Sequence, residues 1–133
     1  MIEKWEECGC PGAPFSLASN SSEVYLGFST RGVSSIVNLD RPTSIIPAPD
    51  SGKPRTRPGV AVAEDGTVLF CWTEAQDVVW QAYNRTGRPL PNIAGRLQGV
   101  AAKWSNAAVV AKKDNNFILY YDAKVVPNKT NNR

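Results

Sequence analysis

The sequence predicts an all-β chain, and three observations carry that expectation. FSLASNSSEVYLGFST, from Phe15 to Thr30, superimposes without a gap on GVAVAEDGTVLFCWTE, from Gly59 to Glu74, so that Glu23 meets Thr67, Val24 meets Val68 and Phe28 meets Trp72, an offset of 44 residues. A weaker third copy, VAAKWSNAAVVAK from Val100 to Lys112, matches Val100 to Val60 and Asn106 to Thr67 at an offset close to 40. Helix signals are scarce throughout, and apolar residues instead alternate or run in short stretches between turn residues. Repeats of about 40 to 50 residues made only of strands are typical of propeller blades, each a small antiparallel sheet that buries its faces against its neighbours. The expected architecture is therefore a partial β-propeller of about three antiparallel blade-like sheets.

Residues 1–14 read as a tail or entering segment, punctuated by Pro11, Gly12 and Pro14. One domain over residues 15–124 follows, divided at 15–58, 59–96 and 97–124. In the first repeat Phe15 to Ala18 is a short apolar strand, Asn20-Ser21-Ser22 a turn, and Glu23 to Ser29 a strand with Val24, Leu26 and Phe28 on one face. Arg31-Gly32 turns the chain into a β-branched strand from Val33 to Leu39. Prolines at 42, 47, 49, 54 and 58 make the next stretch a connection, with one short edge strand at Thr43 to Ile46.

The second repeat holds strands at Val60 to Ala63, Thr67 to Thr73 and Val78 to Tyr83, and its Asp65-Gly66 pair suits a tight two-residue connection. Gly87 closes the following turn from a left-handed conformation, and Arg88 to Ile93, with two prolines, is at most a short outer strand. The third repeat offers Leu97 to Lys103, Ala107 to Lys112 and Phe117 to Asp122, the last two joined by the KDNN turn. Residues 125–133 are polar and read as a frayed tail.

The chain has 133 residues, 42% of them apolar, which is enough for one core. Its net charge of +3 is spread along the sequence and gives little reason to expect nucleic acid. Histidine is absent, which removes Ser-His-Asp and Cys-His catalysis together with histidine metal and haem sites. Cys8, Cys10 and Cys71 fall short of a four-ligand zinc site, leaving buried thiols or one disulfide, so no metal or cofactor is expected. No apolar run is long enough for a membrane helix, and MIEKWEECGC lacks the apolar core of a signal peptide. Asn20, Asn84 and Asn128 head glycosylation sequons, which matter only in a glycosylating host.

The stretch from Arg57 to Leu90, RPGVAVAEDGTVLFCWTEAQDVVWQAYNRTGRPL, resembles the C-terminal blades of bacterial sialidase-like propeller proteins of the neuraminidase-repeat superfamily. The resemblance extends to Gly95-Arg96, Gly99-Val100 and Phe117 to Tyr120, and back to CGCPGAPFSLAS and VYLGF between Cys8 and Phe28. It departs from the family in lacking the S-x-D-x-G-x-T-W turn, which Asp65-Gly66-Thr67 only echoes. Sialidases also hold the substrate carboxylate with three arginines and attack with a tyrosine backed by a glutamate, a constellation drawn from a whole ring. The resemblance accordingly implies the fold and leaves activity to the site itself. A closed ring needs at least four blades, so this chain is expected either to self-associate or to be part of a longer, exported product with further blades.

No catalytic set is evident, and the candidate ligand-binding residues are Arg55, Arg57, Trp72, Glu74 and Trp80. Lys53 to Arg57, KPRTR, is the densest positive cluster and reads either as a solvated loop or as an anion site. Trp72, Trp80 and Trp104 supply either a sugar-stacking platform or cross-strand aromatic packing. Glu74 is either an exposed strand-end carboxylate or an acid facing a ligand. The functional expectation is a noncatalytic scaffold or glycan- or protein-binding module, with a sialidase-type glycoside hydrolase, completed by oligomerisation or by missing blades, as the alternative.

Overall fold

The computed structural model describes residues 15–103 and 105–125, among which there is no helix. Sheet one has the order β1 (Ser16–Ser19), β2 (Val24–Thr30), β3 (Val33–Asn38), β4 (Ile45–Pro47). Sheet two has the order β5 (Thr56–Val62), β6 (Val68–Glu74), β7 (Asp77–Tyr83), β8 (Pro89–Leu97). A two-stranded sheet, β9 (Ala107–Ala111) with β10 (Phe117–Tyr121), makes a third layer. Every ladder between these strands is antiparallel and joins sequence neighbours.

Sheet two lies in the middle. One of its faces buries Val60, Val62, Phe70 and Trp72 with Tyr25 and Ile36 of sheet one, and the other buries Ala61, Leu69, Cys71 and Val78 with Ala107 and Val109 of β9. A strand covered on both sides needs apolar residues at successive positions, which is why β6 reads VLFCWTE and is buried at all seven. Burying side chains the size of Phe70 and Trp72 contributes roughly 1.5–3 kcal/mol each. The first strands of the three layers lie together. Val60 N–H donates to Ser16 Oγ at 3.3 Å and Asn20 Nδ2 to Ala63 O at 2.8 Å, while a Cβ built on Gly59 of β5 would stand 2.7 Å from Ala107 O at the start of β9.

Several expectations are corrected. The Asp65-Gly66 hairpin has a three-residue loop: Gly66 N–H donates to Ala63 O at 3.0 Å, Ala63 N–H donates to Thr67 O at 2.8 Å, and Gly66 sits at φ +90°. Lys112 to Asn116 repeats that pattern, with Asn115 at φ +63° in the glycine's place, so Asn116 rather than Asn106 stands where Thr67 does. The outer strand of sheet two is not short. β8 has nine residues because its prolines fall on an edge strand, where register slips between Gln81 and Ala82, and Gln81 Nε2 bonds Leu90 O there at 3.1 Å.

Leu97 ends β8 and the rest of the stretch to Lys103 is not a strand, since Gly99 at φ +64° turns the chain out and only Ala101 makes a single bridge, to Ala123. The proline-rich connection ends before Thr56, where β5 begins, and Arg57 at φ +59° forms a bulge against β6. On β2 the clustered core takes Tyr25, leaving Val24 exposed on the other face. Phe117 and Leu119 face sheet two, and Ile118 is exposed on the other side beside Val110 and Tyr120. On the side of sheet one Phe15 and Leu17 are 63% and 61% exposed, and Leu17 borders the same cavity as Val110.

Candidate functional site

Antiparallel pairing brings the start of β5, the β6–β7 turn and the end of β8 to one end of sheet two, and the connections before β5 and after β8 arrive at the same end. Two polar features form there, on the two sides of the sheet.

The first is built on Glu74, the last residue of β6, which is 1% exposed. Register puts Trp72 opposite Val79 and Val79 opposite Arg96, so Trp72 and Arg96 share a face with Glu74. Trp72 Nε1–H donates to Glu74 Oε2 at 2.8 Å and Arg96 Nη2 to Oε1 at 2.8 Å. Arg96 Nη1 also donates to Asp77 Oδ2 at 2.7 Å, and Gly99 N–H donates to Asp77 Oδ1 at 2.9 Å. Burial pushes the Glu74 carboxyl upward, but donation from Trp72, Arg96 and Ser51 outweighs it and holds the pKa below the ordinary range. Asp77 is lowered by the Gly99 N–H first and Arg96 second, and the two carboxylates raise Arg96 in return. Glu74 is thus a fixed carboxylate with both oxygens engaged, an anchor rather than a proton donor. The exposed strand-end reading does not describe it.

A cavity of about 320 Å³ runs past this cluster, bordered by Ser51, Trp72, Glu74, Trp80, Gln81 and Arg96. Trp72 is 2% exposed and its ring lies against Phe70, centroids 4.8 Å apart and tilted by 47°. Trp80 pairs with Cys71 and Gly95, which puts its side chain on the opposite face from Trp72, so the two tryptophans do not pack on each other. Its indole covers Gly95, where an added Cβ would collide with the ring.

The second feature is a cleft of about 650 Å³ between the β4–β5 connection, the β6–β7 turn and the β8–β9 connection. Its cations are Lys53, Arg57 and Lys103, and its hydroxyls are Thr56, Thr73 and Ser105. Arg57 is brought here by the bulge, with Nη1 3.3 Å from Asn106 Oδ1.

Of the five candidates, then, Trp72, Glu74 and Trp80 border one cavity and Arg57 lines the other. Arg55 lines neither of these two. Its side chain is only 12% exposed, Nη1 donates to Ala48 O, and Nη2 stands 4.0 Å from Asp50, so it ties the connection down. Arg41 donates to Arg85 O at 3.2 Å beside the β7–β8 turn, at the far end of the sheet from Arg57. Sequence reasoning missed Arg96 as the partner of Glu74, Asp77 as the second carboxylate on Arg96, and Lys103 as a further cation lining the cleft with Lys53 and Arg57. The signal for Arg96 was its place in the Gly95-Arg96 pair, but only strand register connects it to Glu74.

Asn20 and Asn84, read as sequon residues, serve turns: Asn20 Oδ1 accepts from the N–H of Ser22 and Glu23, and Asn84 Oδ1 from those of Thr86 and Arg88. Cys8, Cys10, Trp104 and Asn128 lie outside the described residues. Cys71 is a free, fully buried thiol whose pKa burial pushes up to about 12, against a smaller lowering by the Gly59 backbone. Cys71 is accordingly expected to stay unmodified by iodoacetamide at pH 8 in the folded protein and to alkylate on denaturation, as peptide mass mapping would read. Modification of the folded chain at the denatured rate would contradict that burial. Among the described residues no group of three or more Cys, Asp or Glu is placed to hold a metal ion, and no helix is long and apolar enough to cross a membrane.

No protein-family model, curated protein or solved structure matches this chain.

Proposed function

We propose that the chain is a noncatalytic segment of a sialidase-like β-propeller, a scaffold or a module that binds a glycan or protein partner. The observation that carries the noncatalytic part is the engagement of Glu74: a carboxylate held ionised by Trp72 and Arg96 has no proton to give, and both of its oxygens are tied into the fold. The propeller part is supported by the repetition of spacing in the two four-stranded sheets. Their second strands begin at Val24 and Val68 and their third at Val33 and Asp77, each pair 44 residues apart, and the intervening turns carry Arg31 at φ +52° and Ala75 at φ +55°. Nearness of the first strands of all three layers fits blades arranged about a common axis. The exposed apolar residues on both end layers suit stacking against further sheets, from a second copy or from missing blades.

Incubation of the purified chain with a fluorogenic sialoside tests the reading. No release above the uncatalysed rate is expected. Release that disappears in Glu74→Gln while the variant stays folded would establish the glycoside hydrolase alternative instead.

A further inference from the structure

We infer that the outer edge of β10, with the groove that separates it from β7 and β8, is a docking site for an extended strand of a protein partner whose apolar side chains fall at alternate positions. The inference rests on the binding-module reading and names a polypeptide, rather than a glycan, as what that module takes.

The β9–β10 hairpin repeats the first half of sheet two: Lys112 N–H donates to Asn116 O at 2.7 Å and Asn115 N–H to Lys112 O at 3.2 Å, as Ala63 and Gly66 do at the β5–β6 loop. In sheets one and two the chain then turns within two residues and lays a third strand on the second, β3 on β2 and β7 on β6. After β10 it does not turn back. Ala102 N–H donates to Asp122 O at 2.7 Å and Lys124 N–H to Val100 O at 2.7 Å, so the residues after β10 pair with the β8–β9 connection instead. Ladder alternation directs the N–H and C=O groups of Ile118 and Tyr120 to β9 and those of Phe117, Leu119 and Tyr121 to the other edge, where no described strand lies.

The groove indicates what fits there. On the face of sheet two toward sheet one, Val79 and Tyr83 of β7 are covered by Ile36 of β3 and Ile46 of β4. On the opposite face Trp80 of β7, with Ile93 and Leu97 of β8, stands across about 470 Å³ of open space from Phe117 and Leu119, and none of the described residues lining that space is charged. Leu97 is 38% exposed. A strand continuing the β9–β10 sheet outward would lie over this wall as β3 and β4 lie over the other, with one row of its side chains filling the groove. β10 also lacks the devices that keep an edge unpaired. β4 is three residues long and ends in Pro47, and β8 carries Pro89, Pro91 and a register slip, whereas FILYY holds no proline or charge and pairs with β9 without a break. Antiparallel pairing with the β10 of a second copy is blocked by the same wall, since the β7–β8 layers of both copies would fall on one side of the joined sheet and overlap.

Titration of the full chain with a short acetylated and amidated peptide of alternating valine and threonine, flanked by lysines for solubility, tests the inference, with amide hydrogen exchange as a second readout. The peptide is expected to bind with a dissociation constant below about 1 mM and to slow exchange at Phe117, Leu119 and Tyr121. Of two versions N-methylated on the valines or on the threonines, one loses its donors toward β10 and is expected to bind about tenfold more weakly than the other. Leu97→Lys, an exposed position with little folding risk, is expected to weaken binding about tenfold with an unchanged melting temperature. The inference is overturned if the peptide does not bind at about 1 mM, if both methylated versions or Leu97→Lys bind like the parent, or if exchange slows only outside β10. Protection of β10 that rises with protein concentration in the absence of peptide would give the edge to a second copy and overturn it as well. Sialoside turnover would remove the noncatalytic reading and leave strand pairing at β10 standing, so the two failures are distinguishable.

Discussion

Glu74→Leu is expected to destabilise the fold by about 3 kcal/mol and to lower its melting temperature by about 10 °C. The leucine fills much of the same volume, so the loss is almost entirely polar. Trp72 Nε1–H loses its acceptor inside a residue that is 2% exposed, and an unsatisfied buried donor costs about 1–3 kcal/mol. Arg96 loses one of its two carboxylate partners but keeps Asp77 and is 32% exposed at its side chain, which places the ion-pair part of the cost below that of a fully buried pair. Glu74→Gln retains the shape and one acceptor oxygen and is expected to cost about half as much.

The acid limb of the stability curve gives a second check on the same residue. Because the folded carboxyl titrates below its ordinary value of 4.5, its contribution is complete above that pH and is lost as pH falls through the folded pKa. The stability gap between the parent and Glu74→Gln is therefore widest at neutral pH and narrows below pH 4.5. A gap that is constant from pH 7 into that acid range would show that the carboxylate's charge plays no part.

Gly59→Ala is the second large effect, expected at about 2–3 kcal/mol. A methyl group there would stand 2.7 Å from Ala107 O and 2.7 Å from Cys71 Sγ, with Ala108 Cα at 3.3 Å. The obstacles include backbone of β9 itself, so relief requires the β9–β10 layer to move off sheet two rather than a side chain to rotate. Gly27→Ala is the internal control: its neighbours would be Val60, Pro58 and Ser16 side-chain atoms at 3.5–3.6 Å, ordinary contacts. Chemical denaturation is expected to find Gly27→Ala neutral or slightly stabilising, since alanine in a strand loses less backbone entropy than glycine. Equal costs at the two positions would mean that close approach of the layers is not what Gly59 permits.

The central strands were legible because their surroundings are regular. β6 and β7 are covered on both faces and bounded by Asp-Gly and Ala-Gln-Asp turns, so composition and punctuation agree. β8 was hidden by Pro89 and Pro91, which argue against a strand in general but not against one at an edge with a register slip. Leu97 to Lys103 misled in the other direction: its apolar content suits a strand, yet Gly99 at φ +64° and the donation from Ala101 N–H to Gln76 O make it a crossing segment. At the candidate site the residue types were visible and their pairings were not. Glu74 and Arg96 are 22 residues apart in sequence and meet only through the β6–β7–β8 register, while Arg55 and Arg57, two residues apart, part company at the bulge.

Pairing of each strand with its sequence neighbour also sets the order in which the chain is able to fold as it is synthesised. Closing a short turn costs little chain entropy, so each sheet zips from its own hairpins without waiting for distant sequence. Sheet one is complete once Pro47 has been added, before any residue of β5 exists, and its Tyr25 and Ile36 face must remain open to water until sheet two arrives to cover it. The vulnerable interval in the life of this protein is therefore the synthesis of β5 to β7, when a finished but uncovered sheet is available to any other exposed strand or to a chaperone.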